Sequence, residues 1–254
     1  KLLIPQIPVQ AHKAIKDIES CTEDSVSFMF LFLGLDISNQ PEKERDNRSH
    51  NTWMYPCTDY TQMEKDIENA KAFGAPLPMF VASGSAKDSS WDQTHDRNKK
   101  TVVVIAQCPW HWVSEWAKLG KKDREKDASY QEFKDKAKET LMSGFRKVFP
   151  KLEKYICFYS VGTPITTNDY LGAERGECYG IAPTPGRFTC GSLSPHTPVK
   201  NFYMTGQDII ALGLPSALSS GYLTANVAMG YDSWENAILQ RDIMDDMGIP
   251  PIFT

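Results

Sequence analysis

The sequence predicts an α/β fold of the α+β kind, in which helices pack on a mixed β-sheet. Short apolar runs with strand character alternate with amphipathic helical segments along residues 25–150. The chain has 254 residues, 41% hydrophobic and 24% charged, which is typical of a globular protein with a substantial core. Its longest uninterrupted apolar run, Phe28–Leu35, is too short to cross a bilayer as a helix.

Four strands are predicted before Pro150. Each is a short apolar run, rich in aromatic or β-branched residues and bounded by glycine, proline or polar residues. They cover residues 25–37, 51–57, 77–83 and 101–107. Because helical segments are interleaved with these strands, we expect a mixed sheet with helices on it.

Two amphipathic helices are predicted in the same region. Thr61–Glu64 has the pattern of a capping box, in which the threonine and glutamate side chains satisfy backbone amides of the first turn. The helix that begins there is expected to end at Gly74. Ser129–Glu132 is a second such pattern, and it predicts a helix over 129–149. The charged stretch 118–127 between them is interpreted as a solvated connection.

The composition changes after Pro150. A strand is predicted at 155–161, followed by a segment rich in glycine, proline and threonine at 162–200. The rest is predicted to form a strand, a turn, a helix of small residues and a last helix: 201–205, 206–208, 214–229 and about 232–247. We therefore predict two domains, residues 1–150 and residues 151–254.

Charge and cysteine spacing narrow the range of functions. The chain has 28 Lys+Arg against 32 Asp+Glu, a net charge of -4, which argues against a nucleic-acid partner. None of the six cysteines has the two-residue spacing of a zinc or thioredoxin-type site, and their scatter indicates buried, reduced thiols. The five histidines are equally dispersed, so no metal site is expected.

The segment from Lys200 to Gly230 combines a tight turn with a helix start. Gly206 allows a sharp turn of the backbone, and Gly213 leaves room beside the start of the helix. The first helical turn presents unpaired amides that stabilise an anionic group, and Pro215 suits it because proline needs no donor there. Asp208 is able to accept hydrogen bonds from a sugar or polyol. The same residues also allow a plain buried helix with a surface aspartate.

The pattern Asn-Phe-Tyr-Met-Thr-Gly-Gln-Asp at 201–208, with Gly213 and Ala217, resembles the C-terminal flavin-contacting signature of the phytoene desaturase and carotenoid isomerase superfamily. Within that superfamily the retinol saturases are the most similar branch. The block Gly162–Gly180 agrees as well. Shorter agreeing segments follow the same order along the chain: Asn51–Trp53 with Tyr55–Pro56, Ser85–Asp88 with Trp91, Gln107–Trp116, and Phe149–Pro150.

The resemblance implies a flavin site in the C-terminal part of the chain. Residues 1–150 would be a substrate-binding domain, and 151–254 the C-terminal strand–helix part of a glutathione-reductase-like FAD fold with two dinucleotide-binding units. Asp208 would bind the ribityl chain or pyrophosphate of FAD, and the amides of 214–217 would face the pyrimidine side of the ring. The implied FAD-binding residues are Gly206, Gln207, Asp208, Gly213, Leu214, Pro215, Ser216 and Ala217. No catalytic residue is assigned; Glu177 and Tyr179 are candidate proton donors, and Glu177 with Arg175 equally suits a surface ion pair.

One element of the superfamily is missing from the sequence. Such enzymes hold the ADP half of FAD with a strand–GxGxxG–helix unit, and no GxGxxG occurs here. Together with a first residue, Lys1, that is not methionine, this indicates the C-terminal half of a flavoprotein. We expect the N-terminal Rossmann unit to come from a missing segment or another subunit.

Two functions remain open on this basis. The chain is part of a flavin enzyme that reduces, desaturates or isomerises a retinoid or carotenoid, or it is a non-catalytic scaffold subunit of a larger complex. Several aromatic side chains are candidates for lining a polyene tunnel, although they equally suit a core: Phe28, Phe30, Phe32, Trp53, Trp110, Trp112 and Trp116. A lipophilic substrate implies peripheral membrane contact, in the endoplasmic reticulum or plastid.

Overall fold

A computed structural model of the chain describes residues 9–41 and 49–230. The predicted helix over 232–247 lies outside these residues. The chain divides into two compact units, one formed by residues 26–178 and the other by residues 1–25 together with 179–254. Within the described ranges, no helix is both long and apolar enough to cross a membrane.

The unit of residues 26–178 is built on one five-stranded sheet. Its strands are β1 (Phe28–Asp36), β2 (Thr52–Met54), β3 (Met79–Ala82), β4 (Lys99–Gln107) and β5 (Ile156–Gly162). They lie in the order β2-β3-β4-β1-β5. All five strands predicted before residue 162 are therefore confirmed. Because β5 pairs with β1, the strand after Pro150 belongs to the same sheet as the earlier ones. That residues 1–150 bind substrate and residues 151–254 bind flavin stays a prediction.

The prediction of a mixed sheet is wrong, because every pair of neighbouring strands is antiparallel. Parallel neighbours need a connection that crosses the sheet from one end to the other. The connections from β2 to β3 and from β3 to β4 both contain helices, yet each returns the chain to the end of the sheet that it left. Helical segments between strands therefore did not indicate crossovers here.

Helices of the described residues vary widely in length. They are α1 (Val9–Cys21), α2 (Tyr60–Asn69), α3 (Gly84–Lys87), α4 (Trp91–Thr94), α5 (Lys121–Arg124), α6 (Ala128–Val148), α7 (Pro164–Leu171), α8 (Pro185–Thr189) and α9 (Leu214–Ala228). The predicted helices over 129–149 and 214–229 are confirmed as α6 and α9. The tryptophan-rich segment forms two short 3-10 turns, at Trp110–Trp112 and Trp116–Lys118.

The core of the sheet unit lies between α6 and one face of the sheet. Residues of β1 alternate in burial, and its odd-numbered positions from 29 to 35 are almost completely buried. The apolar stripe of α6 covers them: Tyr130, Phe133, Ala137, Leu141, Phe145 and Val148 are all buried. Burying each large side chain contributes about 1.5–3 kcal/mol, so α6 is the main source of stability for this face.

Both predicted capping boxes are wrong, and the reason is the same for each helix. The carboxylate of Asp59 accepts the amide of Gln62 at 2.9 Å, and that of Asp127 accepts the amide of Tyr130 at 2.9 Å. Each aspartate lies two residues before the predicted threonine or serine. Since the first helical residue directly follows the aspartate, each helix begins one residue before that threonine or serine. Aspartate caps as well as serine, and better than threonine. Helix α2 also ends at Asn69, before the predicted stop at Gly74.

Replacing Asp59 with alanine is expected to lower the free energy of unfolding by about 1 kcal/mol, because it removes the acceptor for the first turn of α2. Thr61→Ala is the matched control, since the sequence pattern predicts Thr61 as the N-cap, whereas Asp59 is the N-cap in the structure. Equilibrium urea unfolding of both variants measures the difference. A larger loss for Thr61→Ala than for Asp59→Ala would contradict the observed cap.

The interpretation of 118–127 as a solvated connection is wrong at Arg124. Its side chain is 5% exposed, and its guanidinium donates to the Asp169 carboxylate and to the Leu119 carbonyl. This ion pair joins α5 to α7. A buried guanidinium needs such partners, because burying an unpaired charge is costly. The many charged residues of this stretch therefore gave no sign that one of them, Arg124, is buried.

The second unit contains α1, α8 and α9. The predicted strand at 201–205 is wrong: these residues form a turn with one isolated bridge between His196 and Tyr203. Asn201 has a φ of +60°, which interrupts an extended run, and the Thr197 hydroxyl donates to the Phe202 carbonyl at 2.6 Å. Of the strand and helix predicted at 201–205 and 214–229, only the helix, α9, is therefore observed.

Candidate functional site

The predicted turn at 206–208 is confirmed, and it is attached to α9. Gly206 has a φ of +100°, which glycine adopts readily. Its amide donates to the hydroxyl of Ser220 at 2.9 Å, and the Thr224 hydroxyl, one helical turn further on, donates to the Met204 carbonyl at 3.0 Å. Ser220 is completely buried. Two small polar side chains of α9 thus hold the turn against the helix.

Asp208 lies in a polar cluster beneath this turn. Its Oδ1 atom accepts the amide of Ile181 at 2.9 Å. Arg187, which is 3% exposed, donates to the carbonyls of both Ile181 and Gln207. These hydrogen bonds form a clamp between the turn and residues 181–187. Among the described residues, none donates a hydrogen bond to Oδ2 of Asp208.

The start of α9 is open and uncapped. Gly213 precedes it with a φ of +86°, Pro215 occupies its first turn, and no side chain caps it. The Ala217 amide donates to the Gly213 carbonyl at 3.0 Å, and proline has no amide. Of the four residues predicted to present unpaired amides, only Leu214 and Ser216 therefore have an amide that is able to do so. A 15-residue helix with no acidic residue in its first turn favours electron-rich groups at this end.

The block Gly162–Gly180 forms the end of β5, helix α7 and a series of tight turns. Thr163 begins α7, and it exchanges side-chain and backbone hydrogen bonds with Thr166 in a capping box. The hydroxyl of Thr163 also pairs with that of Tyr130 on α6 at 2.9 Å. The Glu177 carboxylate accepts the backbone amide of Arg175 at 2.8 Å. Neither this bond nor the half-exposed Tyr179 ring assigns a proton donor.

A second candidate surface is the face of the sheet that α6 does not cover. The cross-strand registers place Trp53 opposite Phe80, Phe80 opposite Ile105, and Ile105 opposite Phe30. Directly paired residues point to the same face, so these four side chains form one continuous row across four strands. With strands about 4.8 Å apart, the row is about 14 Å long. We call it the apolar row.

Aromatic side chains beside the apolar row extend it. Phe32 stacks on Phe30 with ring centroids 5.9 Å apart, and Trp53 contacts Phe80 edge-on at 4.7 Å. Phe32 is 47% exposed and Trp53 62% exposed. A row of aromatic side chains that is partly open to solvent makes this sheet face a candidate binding surface.

The structure divides the predicted tunnel residues into two groups. Phe28, Phe30, Phe32 and Trp53 lie on the uncovered face of the sheet. The other three belong to the core side, where Trp112 is buried and Trp110 and Trp116 pack against the core. The alternation of β1 was the signal that separates the two faces, since residues at even spacing share a face.

Sequence reasoning missed Arg187 and Ser220. Arg187 stands alone in a segment rich in glycine, proline and threonine, and nothing nearby signals that it is buried. Ser220 with Thr224 does have a local signal, because polar residues four apart lie on one helix face. Among the described residues, no three His, Cys, Asp or Glu side chains gather into a group able to hold a metal ion.

Curated relatives cover most of this chain. It is 30% identical over 234 residues to an all-trans-retinol 13,14-reductase of Danio rerio, which covers 89% of the chain and 37% of that protein. It is 34% identical over 206 residues to the Homo sapiens protein of the same name, covering 78% of the chain and 32% of that protein. A Danio rerio protein named inactive all-trans-retinol 13,14-reductase is 25% identical over 243 residues, covering 90% and 37%.

The chain thus spans about a third of the length of the curated relatives that it matches. No protein-family model matches it.

Proposed function

Because this chain is homologous to one part of the all-trans-retinol 13,14-reductases, we propose that it forms part of a flavin-dependent oxidoreductase that reduces a double bond of a retinoid or related polyene. The resemblance inferred from the sequence is confirmed at the level of these homologues. The observation that carries the proposal is the apolar row, because it supplies a surface suited to a polyene.

A polyene is long, flat and almost wholly apolar. The apolar row offers aromatic and branched side chains in a line, with Phe32 beside it, on a face that stays partly exposed. Apolar contact contributes about 25 cal/mol per Å² buried, and aromatic rings add stacking contacts with a conjugated chain. The row therefore orients a polyene by shape and provides apolar contact along one side of it, without any polar contact.

The polar cluster around Asp208 and the start of α9 fit a flavin. Oδ2 of Asp208 would accept a hydrogen bond from a ribityl hydroxyl, while Oδ1 accepts the amide of Ile181. The amides of Leu214 and Ser216 suit the electron-rich edge of the ring, since the first turn of a helix stabilises negative charge. When bound, a reduced flavin supplies the hydride for reduction of a conjugated double bond. The residues of this chain bind and orient the flavin and the polyene.

The proposal requires a dinucleotide-binding unit that this sequence does not contain. We propose that another segment or subunit supplies it. A lipophilic substrate also favours peripheral contact with a membrane, of the endoplasmic reticulum or the plastid. The alternative is a non-catalytic derivative, which the relative named inactive brings into consideration. Identity is higher to the relatives without that word in their names, at 30–34% against 25%.

The two functions differ in what the native particle contains. The protein purified from its own cells is expected to show a flavin absorption spectrum and, by mass spectrometry, a GxGxxG-containing segment or partner. It is also expected to convert all-trans-retinol to a product heavier by two hydrogens. A native particle with neither flavin nor a dinucleotide-binding unit would overturn the enzyme and favour the scaffold.

Replacing Trp53 with alanine is expected to weaken retinol binding at least tenfold, because roughly 100 Å² of apolar contact with the ligand is lost, or about 2.5 kcal/mol. The side chain is 62% exposed and lies on the edge strand β2, so the fold loses little. Quenching of protein fluorescence by titrated retinol measures the affinity.

Leu171→Ser is the matched control, since Leu171 is a 79% exposed apolar residue at the end of α7 and is not part of the apolar row. It is expected to leave retinol affinity unchanged. Equal affinities for the wild type and Trp53→Ala would remove the apolar row from the proposal without touching the flavin part.

A further inference from the structure

Two cysteines lie together in the unit that contains α1 and α8. Cys21 is the last residue of α1, and Cys190 follows α8 directly. These two helices pack against each other. Gly186 of α8 lies so close to the Cys21 carbonyl that an added Cβ would stand 2.5 Å from its oxygen. The contact is therefore close at the backbone level.

Both thiols surround Asp17, one helical turn before Cys21. The Cys21 thiol donates to the Asp17 carbonyl at 3.0 Å, and Sγ of Cys190 lies 4.0 Å from the Asp17 carboxylate. A hydrogen bond with the Cys190 side chain raises the pKa of Cys21 to about 11. The two side chains are thus neighbours around Asp17, and the Cys21 thiol is protonated at neutral pH.

We propose that Cys21 and Cys190 form a disulfide by exchange with a low-molecular-weight disulfide such as glutathione disulfide. The thiolate of one cysteine attacks the small disulfide, forms a mixed disulfide and releases one small thiol. The second cysteine then attacks the protein sulfur and releases the other small thiol. Two protein thiols are oxidised to one disulfide, and one small disulfide is reduced to two thiols. The two protons lost by the protein thiols are transferred to the leaving small thiolates.

The disulfide would act on the clamp around the Gly-Gln-Asp turn. Arg187 lies on α8, three residues before Cys190, and donates to the carbonyls of Ile181 and Gln207. Linking the end of α8 to the end of α1 limits the movement of α8, and with it the opening of the clamp. The exchange itself requires neither the flavin nor the retinoid of the proposed function.

The raised pKa of Cys21 makes attack by this cysteine slow, because the thiolate is the nucleophile and little of it is present at neutral pH. The negative charge of Asp17 also opposes formation of the Cys21 thiolate. The oxidised form therefore requires long exposure to a disulfide, unlike that of a fast redox sensor.

The experiment is to incubate the full chain with glutathione disulfide at mildly alkaline pH, followed by alkylation of the remaining thiols and peptide mapping. A peptide pair joining Cys21 to Cys190 is expected, with monomeric mobility on a non-reducing gel. The midpoint of thermal unfolding is expected to rise by about 5–10 °C. Cys190→Ser should abolish both effects, while the control Cys57→Ser, at an exposed cysteine, should abolish neither.

Hydrogen exchange adds a test specific to the clamp. Amides of residues 181–208 are expected to exchange more slowly in the oxidised chain than in the reduced chain. The proposal is overturned if glutathione remains as mixed disulfides at Cys57 and Cys157 with no joined peptide. A joined peptide without slower exchange at 181–208 would overturn the effect on the clamp.

Discussion

Replacing Gly176 with alanine is expected to destabilise the sheet unit by about 2–5 kcal/mol. Gly176 has a φ of +64°, and a Cβ atom there would overlap the backbone of Pro164, the first residue of α7. The left-handed conformation costs an alanine about 1–2 kcal/mol, and overpacking against the backbone costs about 1–3 kcal/mol more. Neither Pro164 nor the turn is able to yield without moving the start of α7.

Gly172 provides a matched control in the same segment. It ends α7 with a φ of +71°, and a Cβ atom there would meet nothing within 4 Å. Gly172→Ala is therefore expected to cost only the conformational part, about 1–2 kcal/mol. Urea unfolding of the two variants, followed by near-ultraviolet circular dichroism, separates strain from overlap. Equal losses for the two would show that α7 does not pack on Gly176 as described.

Removing the charge of Asp208 is expected to lower flavin content strongly in the assembled protein. Asp208→Asn keeps one oxygen as an acceptor for the Ile181 amide. The second carboxylate oxygen is replaced by an NH₂ group, which donates hydrogen bonds and does not accept them. A hydrogen bond that involves a charged group contributes about 1.5–3 kcal/mol, so flavin affinity should fall about 10- to 100-fold. The flavin absorbance per mole of purified protein measures it.

Asp208→Ala serves to separate binding from folding. It removes the acceptor for Ile181 as well, so it is expected to lose flavin and also to lower the unfolding midpoint. Asp208→Asn should keep a midpoint close to that of the wild type. A fully flavin-loaded Asp208→Asn protein would overturn the role of this carboxylate in the proposed function, although its contact with Ile181 would stand.

Much of the fold was predictable from residue patterns, because those patterns report local burial. The run Phe28–Leu35 alternates between covered and uncovered sheet faces, and the stripe from Tyr130 to Val148 matches the helical period. The turn at Gly206 and the helix after Gly213 were also predicted correctly, because glycine and proline act through local geometry. The starts of α2 and α6 were missed by one residue, because aspartate competes with threonine and serine as a cap.

Strand pairing and the partners of buried polar groups were not predictable in the same way. Nothing local distinguishes a helix that crosses a sheet from one that returns to the same end, so the mixed sheet was a reasonable expectation. Arg124 and Arg187 are polar residues in polar segments, and only their distant partners, Asp169 and Gln207, make their burial possible.

The sequence by itself determined the similarity to the all-trans-retinol 13,14-reductases, the positions of strands and main helices, and the Gly-Gln-Asp turn followed by an open helix start. Each of these depends on residues close together in the chain. The tertiary structure alone decided which aromatic residues remain on an uncovered sheet face, that Arg187 clamps the turn, and that Cys21 meets Cys190. These features join residues far apart in sequence, and packing between distant segments leaves no local pattern.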